Sequence, residues 1–207
     1  MVTELFLIRH GETKWNRELR FQGHADLELN QRGLEQAQIT AHFLAEHRFD
    51  RFYSSDLKRA GQTAEVLAAP HNLPVSARKD LREINYGDWE GQTYRQLWEQ
   101  EPQSLEKWSQ DPSAIKPPGG ETLPDFQLRV VNFFFSLIKE SAGKRIVVIC
   151  HGGTLMVYLA YILQMPLKLC NRFQFDHLGI SRIIVYEQNP IISMLNNTGH
   201  LTAAFVP

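Results

Sequence analysis

Short runs of consecutive apolar residues alternate along this chain with longer stretches in which apolar residues recur every three or four positions. The first pattern predicts strands buried on both faces and the second predicts amphipathic helices, so their alternation points to an α/β layer architecture. Leu5-Phe6-Leu7-Ile8 is a continuous apolar run that stops at Arg9-His10-Gly11, and Phe49 to Tyr53 is a second short strand ending at Ser54-Ser55. Arg145 to Cys150 is the clearest buried strand, followed at once by His151-Gly152-Gly153. Two last strands are expected near Arg182–Tyr186 and Ile192–Leu195, flanking a turn at Gln188-Asn189-Pro190.

Between the strands, Leu34, Ala37, Ala41, Leu44 and Ala45 fall at helical spacing, with Asn30 as N-cap. Ser55 reads as the N-cap of a helix from Asp56 to about Ala68, whose apolar face is Leu57, Ala60, Ala64, Leu67 and Ala68. A third helix runs from Asp125 to about Glu140 with Phe126, Val130, Phe133, Phe134 and Leu137 inward, and a fourth from Thr154 to Leu163. Residues 84 to 120 break the pattern: they hold Trp89, Trp98 and Trp108 among frequent prolines and glycines. Linkers are poor in aromatics, so this stretch reads as a helical excursion from the sheet. The chain as a whole reads as one domain over residues 1–207.

Composition narrows the class. Of 207 residues, 43% are apolar and 22% charged, ordinary values for a globular protein able to bury a core without disulfides. A net charge of −1 gives no general attraction to nucleic acid or to an anionic membrane, so an anionic substrate must find its counter-charge locally. Met1-Val2-Thr3-Glu4 has no basic region leading into an apolar segment, and no apolar run approaches the ~18 residues of a membrane span. Two cysteines, Cys150 and Cys170, suggest no disulfide framework, so the expected setting is the cytoplasm.

The candidate chemistry sits where strands end. Ile8-Arg9-His10-Gly11 and Ile149-Cys150-His151-Gly152 share one shape: apolar strand, histidine, glycine. In an open α/β sheet, ligands bind at the carboxyl ends of the strands, so parallel neighbours would bring both histidines to one crevice. Arg59, in the first turn of the helix after Phe49–Tyr53, would join them from a third strand end. Arg9 and Arg59 are permanent cations with planar forks suited to phosphate oxygens, and the helix after Gly152 offers free backbone N–H groups. An imidazole among such cations is kept neutral, and neutral imidazole is a competent nucleophile. Transfer of a phosphoryl group from an alcohol ester also needs an acid for the departing alkoxide, and Glu83 is the best placed candidate.

Taken singly, each residue has a plainer reading. Glu83 can pair with Arg82 or an N-terminal amide, Asn16 can be a turn residue, Gln22-Gly23 a bend, and Arg59 a solvated helix charge. Trp89, Trp98 and Trp108 read as a satellite core, His177 as a turn histidine or a specificity residue, and His24 and His200 as surface residues. The coincidence of several parts at strand ends favours the chemical reading. Other phosphate chemistries leave no trace: there is no Cys-x5-Arg, Gly-x4-Gly-Lys-Ser/Thr, Asp-x-Asp or His-Glu-x-x-His, and no Gly-x-Ser-x-Gly. A metal site is not expected.

Leu7-Ile8-Arg9-His10-Gly11-Glu12-Thr13-Lys14-Trp15-Asn16 resembles the signature of the histidine phosphatase superfamily, also called phosphoglycerate mutase-like. The similarity continues through Phe21-Gln22-Gly23, Ser54-Ser55-Asp56-Leu57-Lys58-Arg59-Ala60, Glu83, Gly87-Asp88-Trp89-Glu90-Gly91, Gly119-Gly120-Glu121-Thr122 and His151-Gly152, in the family's order. The resemblance implies a three-layer α/β/α sandwich, a phosphohistidine on His10, and Arg9, Arg59 and His151 around the phosphoryl group, with Glu83 as proton donor. Asn16, Gln22, Gly23 and Gly152 match positions that line the phosphate pocket. No metal and no nucleotide cofactor are implied, and the implied partner is a small-molecule phosphate ester.

Ile84 stands after Glu83 where the glycolytic mutases typically carry an arginine, and Gly87-Asp88-Trp89-Glu90-Gly91 looks more like the broad-specificity and α-ribazole phosphatases; phosphoserine phosphatases are close as well. The expected activity is therefore metal-independent phosphomonoester hydrolysis. A mutase working through the same phosphohistidine is the alternative. A non-catalytic phosphate-binding module would have lost one of His10, Arg59, Glu83 or His151, and all four are present.

Overall fold

The computed structural model describes residues 2–187 and 189–203. Six strands form one sheet: β1 (Val2–Arg9), β2 (Arg51–Ser55), β3 (Val75–Arg78), β4 (Arg145–Cys150), β5 (Ile180–Tyr186) and β6 (Asn189–Asn197). Their order across the sheet is β3-β2-β4-β1-β5-β6. The first four are mutually parallel, while β5 runs antiparallel to β1 and β6 antiparallel to β5. Eight α-helices accompany them among the described residues: α1 (Lys14–Arg17), α2 (Gln31–Leu44), α3 (Lys58–Ala68), α4 (Tyr94–Gln100), α5 (Pro102–Gln110), α6 (Leu123–Glu140), α7 (Gly152–Ile162) and α8 (Gly199–Ala203).

The continuous apolar strands are the central ones, because a strand covered on both faces has no side that can be polar. Leu5, Leu7, Ile146, Val148 and Cys150 point into one core shared with α6 and α7. Phe6, Ile8, Val147 and Ile149 point the other way, into a core with α2 and α3. Alternation of period two thus splits each run between the two helical layers. The result is the expected sandwich, with helices on both faces of the sheet.

The excursion after residue 84 builds a third, smaller cluster: Trp89, Leu97 and Leu105 are buried there, with Phe21, Tyr86, Trp108 and Ile115 packed around them. The satellite-core reading therefore fits Trp89 and Trp108, but not Trp98, which is 46% exposed.

Several boundaries differ from the sequence reading. The helix expected from Asp56 begins at Lys58 with Leu57 as its cap residue, and Ser55 Oγ instead accepts the Leu57 N–H (3.3 Å) in the turn before it. α7 begins at Gly152 rather than Thr154, so His151 is itself the cap residue. β3 was not foreseen: it is a four-residue edge strand of half-buried and exposed positions with no apolar run to betray it. Of the turn expected at 188–190, Gln188 lies outside the described residues, and Asn189 and Pro190 already belong to β6. Proline is tolerated there because β6 is an edge strand.

Candidate active site

The register of the two central strands decides where the histidines fall. Arg9 of β1 lies opposite Cys150 of β4, so His10 and His151, the next residue on each parallel strand, leave the sheet side by side. Their ring centroids are 5.1 Å apart, edge to face. On the far side of β4, Ser54 of β2 lies opposite Ile149, and the first turn of α3 brings Arg59 back over the strand ends. Arg59 Nε donates to His10 Nε2 at 3.2 Å. Both histidines and Arg59 are almost completely buried.

Hydrogen-bond bookkeeping fixes the state of His10. Its Nδ1 is 2.7 Å from the carbonyl oxygen of Gly11, an acceptor only, so Nδ1 carries the proton and Nε2 presents a lone pair. Burial first, and then the charges of Arg59 and Arg9, hold its pKa well below the ordinary histidine value. His151 is held neutral in the same way, by burial and then by Arg59. Burial lowers the Arg59 pKa to about 10, which still leaves the guanidinium charged at neutral pH.

Arg59 is pinned by the chain it faces: Nη1 donates to Ala25 O (2.8 Å) and Nη2 to Gly23 O (2.7 Å). Arg9 Nη1 donates to Phe175 O (2.6 Å). Arg9 Nε and both ring nitrogens of His151 are buried without a hydrogen-bond partner among the described residues. Arg9 Nε and the one N–H of a neutral His151 are therefore donors that an anion entering the site could engage.

Glu83 sits in the loop after a 3-10 turn at Lys79–Leu81. Its Oε1 accepts the Ile84 N–H (2.9 Å) and its Oε2 the Gly153 N–H (3.0 Å) at the start of α7. The amide pairing raised from the sequence is therefore real, yet it leaves Glu83 on the cleft wall beside His10. Arg82 pairs instead with Asp56 (2.7 Å).

One cleft of about 260 Å³ gathers Arg9, His10, Asn16, Gln22, Gly23, Arg59 and Glu83, together with Leu19, Arg20, Phe21, Tyr86 and Tyr94. Asn16 closes the capping box of α1, its Oδ1 accepting from Thr13 N (3.0 Å). Gln22 Oε1 accepts from Thr13 Oγ1 (2.9 Å). Gly23 has a φ of +50°, and an added Cβ would fall 2.9 Å from Tyr86 N, so a side chain would be both strained and obstructed there. His151 is fully buried with its ring against that of His10, and Gly152 packs at the Arg9 guanidinium, 3.7 Å from Arg9 Nε to where a Cβ would sit.

Four contributors were missed or left open by the sequence reading. His177 does lie in a turn, but its ring is 5.9 Å from that of His10, and burial together with Arg9 pushes its pKa down to about 3. His24, read as a surface residue, is half-buried, with Nε2 2.9 Å from the carbonyl oxygen of Glu83. Arg129 of α6 donates through Nη2 to the same carbonyl (2.8 Å) and through Nη1 to that of Arg82 (2.8 Å), pinning the loop that carries Glu83. Both contacts cross more than forty residues, so no local pattern announces them. Gly153 was visible as the second half of a glycine pair after a strand, the one signal that bears on how Glu83 is seated. Among the described residues, no group of three His, Cys, Asp or Glu side chains is arranged to hold a metal ion, and no helix is long and apolar enough to cross a membrane.

Comparison with known proteins places the chain in a family. The chain is 32% identical over 205 residues to phosphoserine phosphatase 1 of Hydrogenobacter thermophilus, covering 99% of this chain and 97% of that protein. It is 33% identical over 193 residues to the adenosylcobalamin/alpha-ribazole phosphatase of Escherichia coli K12, covering 93% and 95%. The solved structure of YhfR from Bacillus stearothermophilus superposes with a TM-score of 0.91 at 29% identity, over 96% of this chain and 99% of that one. The family model described as the histidine phosphatase superfamily (branch 1) matches residues 5–198, and the chain is a phosphatase enzyme belonging to that superfamily.

Proposed function

We propose that this enzyme hydrolyses phosphate monoesters of small molecules without a metal ion, through a phosphohistidine on His10 Nε2. The observation that carries the reading is the state of His10: its Nδ1 proton is committed to Gly11 O, and its Nε2 lone pair faces the cleft beside Arg59. In the first step Nε2 attacks phosphorus and the bond to the ester oxygen breaks, with Glu83 giving its proton to the departing alkoxide. The charge on the equatorial phosphoryl oxygens is met by Arg9, by Arg59 and by the single N–H that a neutral His151 donates, all fixed in place before the reaction begins. In the second step Glu83 takes a proton from water, which attacks phosphorus and frees His10. The two guanidinium groups supply the positive charge that a metal supplies in other phosphatases.

The small esters named for the relatives, phosphoserine and α-ribazole phosphate, are the first candidates for the substrate. Mutase chemistry is disfavoured by the charges around the cleft. The third lining cation, Arg20, is already paired with Glu18 (2.6 Å), and Lys116 is exposed and away from the cleft wall. The test is phosphate release, in excess chelator, from a panel of monoesters by the intact enzyme and by His10→Ala. Release that survives chelation, vanishes in the variant and passes through an acid-labile phosphate on His10 is expected. A His10→Ala rate above ~1% of the parent would overturn the nucleophile, since losing it removes the covalent route. Transfer to a second substrate hydroxyl faster than to water would mark a mutase.

A further inference from the structure

The mouth of the cleft contains a leucine that folding alone does not explain. Leu19 follows α1 with φ +55°. Its N–H bonds Asn16 O (3.2 Å) and the Arg20 N–H bonds Trp15 O (3.0 Å), the pair of contacts that closes a helix with a left-handed residue. Glycine is the usual occupant, because a Cβ crowds that conformation. Leucine is a poor choice there, and its side chain is 80% exposed, so it buries little in return. Backbone strain that buys no packing points to function, and Leu19 lines the cleft that holds His10, Arg9, Arg59 and Glu83.

A second observation stands across the opening. Tyr94, the first residue of α4, is 49% exposed and lines the same cleft. Its ring stacks on that of Trp98 (centroids 6.3 Å, planes 16° apart), which fixes its orientation. Phe21 lines the same cleft, edge-on to Tyr86 at 5.0 Å. The two sides are latched: Arg20 bridges to Thr93, Phe21 N bonds Gln92 O (3.0 Å), and Gly91 N bonds Phe21 O (2.8 Å). The rim is therefore formed before any substrate arrives. Its one cation is occupied, with Arg20 Nε on Glu18 and Nη1 on Gly91 O (2.6 Å). Two of the three Arg20 guanidinium nitrogens are thus engaged before a substrate arrives.

We infer that Leu19 and Tyr94 select phosphate esters whose leaving alcohol is uncharged and apolar or ring-bearing. This deepens the phosphatase reading above, rests on it, and ranks an ester of the α-ribazole type ahead of phosphoserine among its candidate substrates. The experiment compares kcat/KM for 2-phenylethyl phosphate and ethyl phosphate, whose leaving alcohols are nearly equally basic, so that the chemical step is matched and the rim is what differs. O-Phosphoserine and 3-phosphoglycerate complete the panel. The phenylethyl ester is expected to lead ethyl phosphate by about tenfold, the low end for apolar contacts in a half-open pocket. Both charged esters should trail the phenylethyl ester.

Leu19→Gly and Tyr94→Ser should each cut that ratio by about threefold, through KM rather than kcat, as expected for contacts made equally in ground and transition states. Leu19→Gly should do so without lowering the thermal midpoint, whereas a leucine retained for packing would lower it. A wild-type ratio near one, a preference for the charged esters, or an unchanged ratio in both variants would overturn the inference while leaving the phosphatase standing. Should no ester be hydrolysed, the phosphatase reading fails. Calorimetric binding of (2-phenylethyl)phosphonate against ethylphosphonate then tests the rim alone, and equal affinities would refute it.

Discussion

Gly153→Ala separates the seating of Glu83 from the stability of the fold. A Cβ at position 153 would lie 2.2 Å from Glu83 Oε1, 3.0 Å from Cδ and 3.3 Å from Oε2. Ordinary contact begins near 3.4 Å, so the carboxyl end must retreat by about 1 Å, a displacement that can cost on the order of 100-fold in rate when it misplaces a catalytic group. Only the tip of a flexible side chain obstructs the methyl, so the fold has little reason to fail. Gly153 lies in the first turn of α7, and alanine there is favoured over glycine by roughly 0.5–1 kcal/mol. Against that gain stands the hydrogen bond from Gly153 N to Oε2 (3.0 Å), worth about 1 kcal/mol net. The thermal midpoint should therefore move little.

Activity should not be so forgiving. With Glu83 unseated, kcat/KM for an alkyl phosphate should fall by about 100-fold or more, the scale of general acid catalysis. A nitrophenyl ester, whose leaving group needs no proton, should lose much less. The assay is parallel kinetics on the two esters with thermal melts of the same preparations. Gly153→Ala that turns over the alkyl ester like the parent would refute the reasoning, because the acid would then work from outside its seat. Equal losses on both esters would mean that the methyl disturbs the phosphate site rather than the acid.

Two further outcomes are expected. Glu83→Gln keeps the side-chain volume and should slow alkyl esters by about 100-fold or more while sparing nitrophenyl phosphate, which kinetics on the same pair checks. His177 is held neutral by burial, its pKa pushed down to about 3, so below the unfolded-state value near 6.5 the unfolded chain binds a proton that the native chain refuses. Its contribution to stability is thus complete above pH ~6.5 and lost as the pH falls towards 3, at no more than ~1.4 kcal/mol per pH unit and less for its partial exposure. Urea unfolding of His177→Phe should show a shallower loss of stability than the parent between about pH 6.5 and pH 4.5; an identical slope would place the His177 pKa near its ordinary value.

Much of the architecture is legible along the chain because burial on both faces leaves an unambiguous mark. Leu5 to Ile8 and Ile146 to Cys150 are the central strands, and the inward faces of α3 and α6 are those their spacing predicts. The places where the sequence reading fell short share a cause. β3 lies at an edge and carries no apolar run, and the starts of α3 and α7 depend on how strand and helix meet. Trp98 has the composition of core and the exposure of surface.

By itself the sequence singled out the side chains proposed here to carry the chemistry: His10 and His151 each end an apolar strand, Arg59 opens a helix, and Glu83 precedes the aromatic excursion. The histidine, glycine and arginine types suffice for that, since their chemistry is intrinsic. What only tertiary structure decided is their relation. The pairing of Arg9 with Cys150 sets the histidines side by side, and the Gly11 carbonyl chooses the tautomer whose Nε2 lone pair meets the Arg59 guanidinium. His24, Arg129 and Gly153 fix Glu83 from segments 59, 46 and 70 residues away. Such contacts write no period into the chain, because a hydrogen bond between distant segments constrains one position on each and leaves its neighbours free.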